Sequence, residues 1–209
     1  MQRLKQFPES EKREVTLSFE EAGSLIGELS DPIVNIVEFA IYSGFRRENI
    51  LGLKIEDLVF HNLQESSEAM IVIKGGKRKR FLLGSHATEV LRRSIGNRKE
   101  GYVFLNPRTG TRYGSVHKAF DRAVRKLGLR VNETKLRFHD LRHVFATWLH
   151  SAGVSLDDIR DLLGHKDRNT TDRYVTLDPR TTLKALTVMP RILRKEPKKT
   201  LTIDVQTMN

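Results

Sequence analysis

Apolar residues recur every three or four positions over most of the chain, and this spacing predicts a mainly helical protein. One such segment follows Ser115 and carries Val116, Ala119, Phe120, Ala123, Val124 and Leu127 on a single face. A second segment repeats the spacing in Leu141, Val144, Phe145, Trp148, Leu149 and Ala152. Glycine follows each segment, at Gly128 and at Gly153, and glycine is the usual residue just beyond a helix end.

Capping residues indicate where the other helices begin and end. Ser18 followed by Glu21 forms a capping box, so a helix should open there and continue to about Leu29. The remaining predicted helices run from Asp31-Pro32 to Gly44, from Ser85 to about Ile95, from Ser155 with Asp158 to Gly164, through a short stretch around Tyr174, and from Pro179 to about Val188.

The pattern changes between Leu53 and Leu83, where short runs of β-branched and aromatic residues replace the helical spacing. These runs are Ile55, Leu58-Val59, Met70 to Ile73, and Phe81 to Leu83. Gly75-Gly76 supplies a tight turn between the last two runs. The fold class is therefore predicted to be α+β, a mainly helical domain with a small antiparallel three-stranded sheet.

Composition narrows the classes of partner. The 209 residues contain 37 Lys and Arg against 26 Asp and Glu, which gives a net charge of +11 and favours a polyanion such as nucleic acid. The longest apolar run, Ile33 to Ile41, is interrupted by Asn35 and Glu38, so no membrane span is expected. Without cysteine, disulfides and thiolate metal sites are excluded. A cytoplasmic, nucleoid-associated location is the simplest expectation, because no signal-peptide pattern opens the chain.

Five positions in four separate segments suggest a phosphate-handling site. They are Arg46 in SGFRR, His139 and Arg142 in RFHDLRHVFATWL, His165 in LLGH, and Tyr174 in TTDRYVTLDP. A guanidinium offers a planar fork of donors that matches the oxygens of a phosphate. His139 and Arg142 are three residues apart, so a helix would place both side chains on one face. Taken singly, each arginine is better explained as a surface charge and the tyrosine as a partly buried aromatic residue.

Together these segments resemble the tyrosine recombinase, or phage integrase, family over about residues 17–179. Ser43-Gly44-Phe45-Arg46 is similar to the family's Thr-Gly-Leu-Arg, and the run Thr170 to Tyr174 is close to its Thr-Thr-x-x-Tyr. The resemblance implies the family's catalytic fold and a DNA strand cleavage and rejoining reaction through a 3′-phosphotyrosyl bond. It also implies double-stranded DNA as the substrate and assembly into a homo-oligomer, a dimer to tetramer, on that DNA.

The resemblance implies a role for each residue. Tyr174 would be the nucleophile, Arg46 and Arg142 would stabilise the transition state, and His139 and His165 would donate to the same phosphate or carry protons. A phenol has a pKa near 10, so neighbouring positive charge such as Arg173 would favour its ionisation.

A lysine on the hairpin between the second and third strands is the family's usual donor to the departing 5′ oxygen. Lys74 aligns best with it, because it directly precedes the glycine turn, and Lys77 is the alternate. The rest of the turn, Lys77, Arg78, Lys79 and Arg80, is expected to contact backbone phosphates.

Metals and cofactors are not expected. His139 and His143 have the i, i+4 spacing of two metal ligands, but no glutamate follows His139 as in a zinc protease and no third ligand is well placed. His143 is interpreted as structural. Asp140 also has a structural interpretation, and Asp157, Asp158 and Asp161 complement the dipole of a helix instead of binding Mg²⁺.

Three other functions fit parts of the sequence. A type IB topoisomerase would share the Arg, Lys, His and Tyr chemistry, and would relax supercoils without site preference. Residues 155–176 could form the helix-turn-helix of a non-catalytic DNA-binding regulator, which would leave the segments around Arg46 and His139 unexplained. A recombinase remnant that binds DNA without cutting it is the third, although all the expected groups are present.

The predicted organisation has three parts. Residues 1–16 form a polar linker or frayed end, residues 17–190 the catalytic domain, and residues 191–209 a basic tail. The tail continues into an alternating segment, Leu201 to Val205, that could pair with a sheet edge near residues 68–83 of its own or a neighbouring chain, as an exchange segment. Family members usually carry a helical core-binding domain before the catalytic one, so the chain is expected to be a fragment or a short stand-alone integrase.

Overall fold

The computed structural model describes residues 17–61, 66–73, 75–131, 134–164 and 179–193. Eight α-helices lie within these ranges. In chain order they are α1 (Phe19–Glu28), α2 (Ile33–Ser43), α3 (Arg47–Leu51), α4 (Ser85–Ile95), α5 (His117–Leu127), α6 (Asp140–Ser151), α7 (Leu156–Leu163) and α8 (Pro179–Thr187). None of them has the length and apolar character needed to cross a membrane.

A three-stranded antiparallel sheet follows the third helix, as the sequence predicts. Its strands are β1 (Leu58–His61), β2 (Ser66–Val72) and β3 (Arg78–Leu83), and β2 lies in the centre. Ala69 stands opposite Leu58 on one side and Phe81 on the other. A separate two-stranded ribbon, β4 (Arg130–Val131) with β5 (Thr134–Lys135), precedes α6.

Helix α2, with the sequence IVNIVEFAIYS, forms the centre of the core, because every one of its residues except Glu38 is buried. It packs against α1, α4 and α6. Its two polar residues within the apolar run are both bonded to Arg93 of α4, which donates to Oδ1 of Asn35 (3.0 Å) and to Oε2 of Glu38 (2.6 Å). The buried amide and the carboxylate therefore have partners, and α2 is joined to α4 by polar bonds as well as by packing.

The chain after α8 runs back over α2. The hydroxyl of Tyr42 donates to the carbonyl oxygen of Pro190 (3.2 Å) and accepts from the amide of Ile192 (2.7 Å). Arg191 forms an ion pair with Glu89 at 2.8 Å. Burial of the Tyr42 phenol raises its pKa to about 12, so it stays protonated and able to donate. The start of the predicted tail is thus fixed against its own domain, and residues 194–209 lie outside the described residues.

Most predicted boundaries are confirmed. The Ser18–Glu21 capping box is formed, Ser155 accepts from the amide of Asp158, and Gly44, Gly128 and Gly164 end their helices in left-handed conformation. α8 begins at Pro179, as predicted.

Two local predictions are wrong. Gly84, and not Ser85, is the N-cap of α4, so the serine lies one position inside the helix. Ile55 belongs to a 3₁₀ turn, Ile55–Asp57, and not to a strand, because the amides of Asp57 and Leu58 bond back to the carbonyls three residues earlier, those of Lys54 and Ile55. The predicted helix around Tyr174 and the predicted linker over residues 1–16 lie outside the described residues.

The turn at Gly44 yields a prediction about stability. Its φ is +62°, and a Cβ there would lie 2.6 Å from Cδ1 of Phe145 and 2.8 Å from Cδ2 of Leu163. Gly44→Ala should therefore combine left-handed strain with overpacking, and lower the free energy of unfolding by about 2–5 kcal/mol.

Gly128→Ala is the matched control. Gly128 has a φ of +65° and no atom within 4 Å of a Cβ, so only the conformational strain of about 1–2 kcal/mol should appear. Denaturant unfolding of both variants measures the difference. Equal losses would show that packing at Gly44 contributes nothing.

Candidate active site

The turn after α2 exposes Arg46 while it buries its neighbour. The hydroxyl of Ser43 donates to the carbonyl of Phe39 (2.7 Å) and accepts from the amide of Phe45 (3.2 Å). The ring of Phe45 is buried against Phe39 and Phe81, with ring centroids 5.8 and 5.4 Å away. Arg46 is the next residue and the N-cap of α3, and its side chain is exposed. The motif Ser-Gly-Phe-Arg therefore anchors a turn whose last side chain faces solvent.

Arg142 is buried and holds two helix ends. Its Nη1 donates to the carbonyl oxygen of Gly44 and its Nη2 to that of Leu163, both at 2.6 Å. These carbonyls close the C-terminal ends of α2 and α7, where the helix dipole favours a positive charge. Among the described residues, two of the five N–H donors of the guanidinium are used in this way.

The charge of Arg142 persists at neutral pH. Burial, together with repulsion from Arg46, lowers the pKa of the Arg142 guanidinium to about 10. The two arginines are thus close enough to interact electrostatically, although no hydrogen bond joins them. Two positive charges held close together repel each other, and a bound anion would relieve this repulsion. Such an arrangement is typical of an anion-binding site.

His139 is the N-cap of α6, and its imidazole lies in the positive electrostatic field of Arg46 and Arg142. Its pKa is lowered, first by partial burial and then by the neighbouring positive charges of His143, Arg142 and Arg46, while Asp140 acts in the opposite direction. The rings of His139 and His143 meet edge to face, with centroids 5.6 Å apart.

His143 and Asp140, both interpreted as structural, differ in their environment. His143 is exposed beside His139 and does not contribute to the core. Asp140 is buried, and its Oδ2 accepts from the amide of Arg137 (2.8 Å), which supports a structural role at the start of α6. In the described part of the chain, no group of three or more His, Cys, Asp or Glu side chains could hold a metal ion.

The basic side chains of the hairpin are divided between the two faces of the sheet. Arg78 forms an ion pair with Asp57, and Arg80 forms one with Glu68 at 2.9 Å on the outer face. Lys79 is on the opposite face, with Nζ 5.4 Å from the ring centroid of Phe81.

That inner face of the hairpin meets the end of α7. A Cβ on Gly164 would lie 2.8 Å from Cζ of Phe81. Because Arg142 binds the carbonyl of Leu163 immediately before, the inner face borders the Arg142 site. The exposed Lys77 keeps the turn closed through its backbone, since its carbonyl accepts from the amide of Ile73 (2.8 Å).

Four predicted site residues lie outside the described residues: Lys74, His165, Arg173 and Tyr174. The structure therefore brings together Arg46, His139 and Arg142 and leaves the other assignments as predictions. The sequence does not predict the burial of Arg142 or its bonds to two helix ends. Its position one residue after Leu141, at the edge of the apolar stripe, is the only signal of this burial.

Comparison with known proteins identifies the family to which this chain belongs. The model of the phage integrase family matches residues 15–180, and the chain therefore belongs to that family. The integrase of Salmonella phage P22 is 31% identical over 177 residues, which are 76% of this chain and 43% of that protein. The tyrosine recombinase XerC of Proteus mirabilis is 32% identical over 162 residues, 72% of this chain and 50% of that protein. The chain spans about half the length of these curated relatives.

Solved structures show the same fold. The integrase from mycobacterium phage Brujita superimposes with a TM-score of 0.65 at 20% identity, covering 88% of this chain and 60% of that chain. A lambda integrase fragment, residues 75–356, in a dimer bound to a COC′ core site, gives a TM-score of 0.61 at 21% identity, covering 83% of this chain and 66% of that chain. The chain has the tyrosine recombinase catalytic fold that the sequence predicts.

The electrostatics of His139 can be measured directly. In the DNA-free protein its imidazole pKa should lie below the ordinary value of 6.5, and His143→Gln should raise it by removing one positive neighbour. An NMR titration, with the resonance assigned through His139→Gln, measures both shifts. A pKa at or above 6.5 in the unsubstituted protein would contradict the prediction.

The same shift gives a pH dependence of stability. Unfolded His139 binds its proton at a higher pH than folded His139. Stability therefore falls as the pH drops through the unfolded pKa, and the loss is complete below the folded pKa. His139→Gln should remove this part of the dependence.

Proposed function

We propose that this chain is the catalytic domain of a site-specific DNA recombinase that cuts and rejoins duplex DNA through a 3′-phosphotyrosyl bond, without a metal ion or other cofactor. The observation that supports this most directly is the buried Arg142, held between two helix ends beside Arg46 and His139. The family membership and the net charge of +11 support the same proposal.

In the proposed reaction, the phenolic oxygen of Tyr174 attacks the phosphorus, a tyrosyl–phosphorus bond forms, and the bond to the 5′ oxygen breaks. Extra negative charge develops on the non-bridging oxygens, which Arg46 and Arg142 would hold. Loss of one such contact should cost on the order of 3 kcal/mol of transition-state stabilisation. The phosphotyrosyl bond retains the energy of the broken bond, so rejoining by the 5′ hydroxyl needs no ATP.

The histidines complete this scheme. The lowered pKa of His139 keeps its ring neutral at pH 7 in the free protein, so it can donate one N–H to a phosphate oxygen and accept at the other nitrogen. We assign His165 to the same phosphate, and Arg173 to the positive surroundings that favour ionisation of Tyr174. The departing 5′ oxygen takes its proton from Lys74.

We further propose that the protein acts as a homo-oligomer on DNA, a dimer to tetramer, in the cytoplasm and associated with the nucleoid. The basic tail, residues 191–209, is the proposed exchange segment between protomers. Its first residues are held on their own domain by Tyr42 and by the Arg191–Glu89 pair, so an exchanged part would begin beyond them. As part of this proposal we keep the predicted division of the chain, with residues 17–190 as the catalytic unit.

The nucleophile can be tested with a nicked suicide substrate that carries the native genomic flanks. The protein should form a covalent adduct at the 3′ phosphate and leave a 5′ hydroxyl, and Tyr174→Phe should abolish the adduct on a denaturing gel. Tyr102→Phe is the matched control, because it removes a phenol that packs near Lys54 and should leave the adduct intact. An adduct formed by Tyr174→Phe, or one attached to the 5′ end, would refute the assignment. Relaxation of supercoiled DNA without site preference would instead favour a type IB topoisomerase.

The general acid can be identified with a substrate that has sulfur in place of the bridging 5′ oxygen. A thiolate leaves readily, so Lys74→Ala should be slow on normal DNA, by about a hundredfold, and close to unsubstituted rates on the sulfur substrate. Lys77→Ala and Lys79→Ala serve as comparisons from the same hairpin. Rescue of either comparison variant, or no rescue of Lys74→Ala, would move the role elsewhere.

A further inference from the structure

A cluster of charged side chains borders the candidate active site and has no place in the scheme above. We call it the Glu48 cluster: Arg47, Glu48, Arg112 and His117. Arg47 donates to Oε1 of Glu48 through Nε (3.0 Å) and Nη2 (2.8 Å), and Arg112 donates to Oε2 of the same carboxylate. Nη1 of Arg47 donates to Nε2 of His117. One carboxylate therefore holds two guanidiniums side by side.

The Glu48 cluster joins three separate parts of the chain. Arg47 and Glu48 begin α3, and His117 begins α5. Arg112 belongs to the loop between α4 and α5, where its backbone pairs with Leu105 in an isolated antiparallel bridge. Side chains from elements this distant in sequence are brought together only by the fold.

Two links connect the Glu48 cluster with the candidate active site. Arg47 directly follows Arg46. One turn beyond His117 on α5, the ring of Phe120 packs against Phe138, with centroids 5.5 Å apart, and Phe138 directly precedes His139. The cluster therefore lies beside the Arg46–His139–Arg142 group.

The Glu48 cluster is open to solvent and keeps an excess of positive charge. The side chains of Arg47 and Arg112 are each 39% exposed, and that of Glu48 is 61% exposed. Hydrogen bonds from Arg47 and then from Arg112 hold the pKa of the Glu48 carboxyl below its usual range, so it is ionised at neutral pH. Exposed ion pairs of this kind contribute little to the stability of a protein. Stabilisation of the fold therefore does not explain why these four side chains are arranged together.

We propose that the Glu48 cluster binds a backbone phosphate of the DNA next to the phosphate that is cut, with Arg47 and Arg112 as its direct contacts. This proposal rests on the proposed function, because it takes DNA as the substrate. A phosphate carries the negative charge and the oxygen geometry that a pair of guanidiniums matches. The Glu48 carboxylate occupies that position in the free protein and competes with the phosphate for the same donors.

Because Glu48 and the phosphate compete for the same donors, two variants should change the affinity for DNA in opposite directions. Arg112→Ala removes a phosphate contact, so binding should weaken alike on every sequence, and the slope of log affinity against log salt should fall by about 0.9. Glu48→Gln removes the competing charge and keeps an acceptor of the same shape, so binding should become tighter. The probe is a random-sequence duplex of defined length, and fluorescence anisotropy measures binding over a series of salt concentrations.

Lys126→Ala is the matched control. Lys126 is also exposed and ion-paired, to Glu28 at 2.6 Å, and it lies at the far end of α5 from His117. Its loss removes the same unit of charge from the protein, and the salt slope should not change. An equal fall in slope for Lys126→Ala and Arg112→Ala would show that only net charge matters, and would overturn the proposal.

Two further results would also overturn the proposal: an unchanged slope for Arg112→Ala, or binding by Glu48→Gln that is no tighter than that of the otherwise identical protein with Glu48 intact. All proteins carry Tyr174→Phe, so binding is measured without cleavage and does not depend on the recombinase chemistry. If the covalent adduct is never found and the slope still falls, the proposed reaction is wrong while the phosphate site stands.

Discussion

The position of one buried positive charge links the fold to the site. Arg142 donates to the last carbonyls of α2 and α7 while it is carried by α6, so three helices meet at a single guanidinium. Removing a charged group from water is costly, and the negative ends of two helix dipoles compensate for part of that cost. The same bonds fix the direction of the guanidinium, because its planar shape leaves little freedom once two donors are engaged.

The ends of those helices are in turn set by glycine. Gly44 and Gly164 both adopt left-handed conformation, and a Cβ on either would collide with an aromatic ring, that of Phe145 or that of Phe81. Close approach of α6 to α2, and of the hairpin to α7, therefore requires these two residues. The turn at Gly44 also buries Phe45 and exposes Arg46, which brings the second arginine to the same surface.

The basic side chains of the hairpin and those around the candidate active site differ in their partners. Outer-face arginines of the hairpin, Arg78 and Arg80, are neutralised by Asp57 and Glu68. Around Arg46, by contrast, Arg142 has only carbonyl partners among the described residues, and Arg47 and Arg112 share one carboxylate. An unbalanced positive region of this kind is what a polyanion would meet, and it raises the local attraction above that expected from net charge alone.

The sequence by itself determined most of the described elements, because local signals decide them: the Ser18–Glu21 box, the glycine stops and the change of period between Leu53 and Leu83. It also predicted Arg46, His139 and Arg142 as members of one site, because the separate motifs that carry them together resemble one family, and the structure brings these three together. Only the tertiary structure decided which partner each charged side chain has. Burial of Arg142, pairing of the hairpin arginines and assembly of the Glu48 cluster all depend on contacts between residues distant in sequence, and a local pattern contains no information about such contacts. The N-cap of α4 shows the same limit at short range, because Gly84 and Ser85 are both acceptable caps by composition, and the structure uses Gly84.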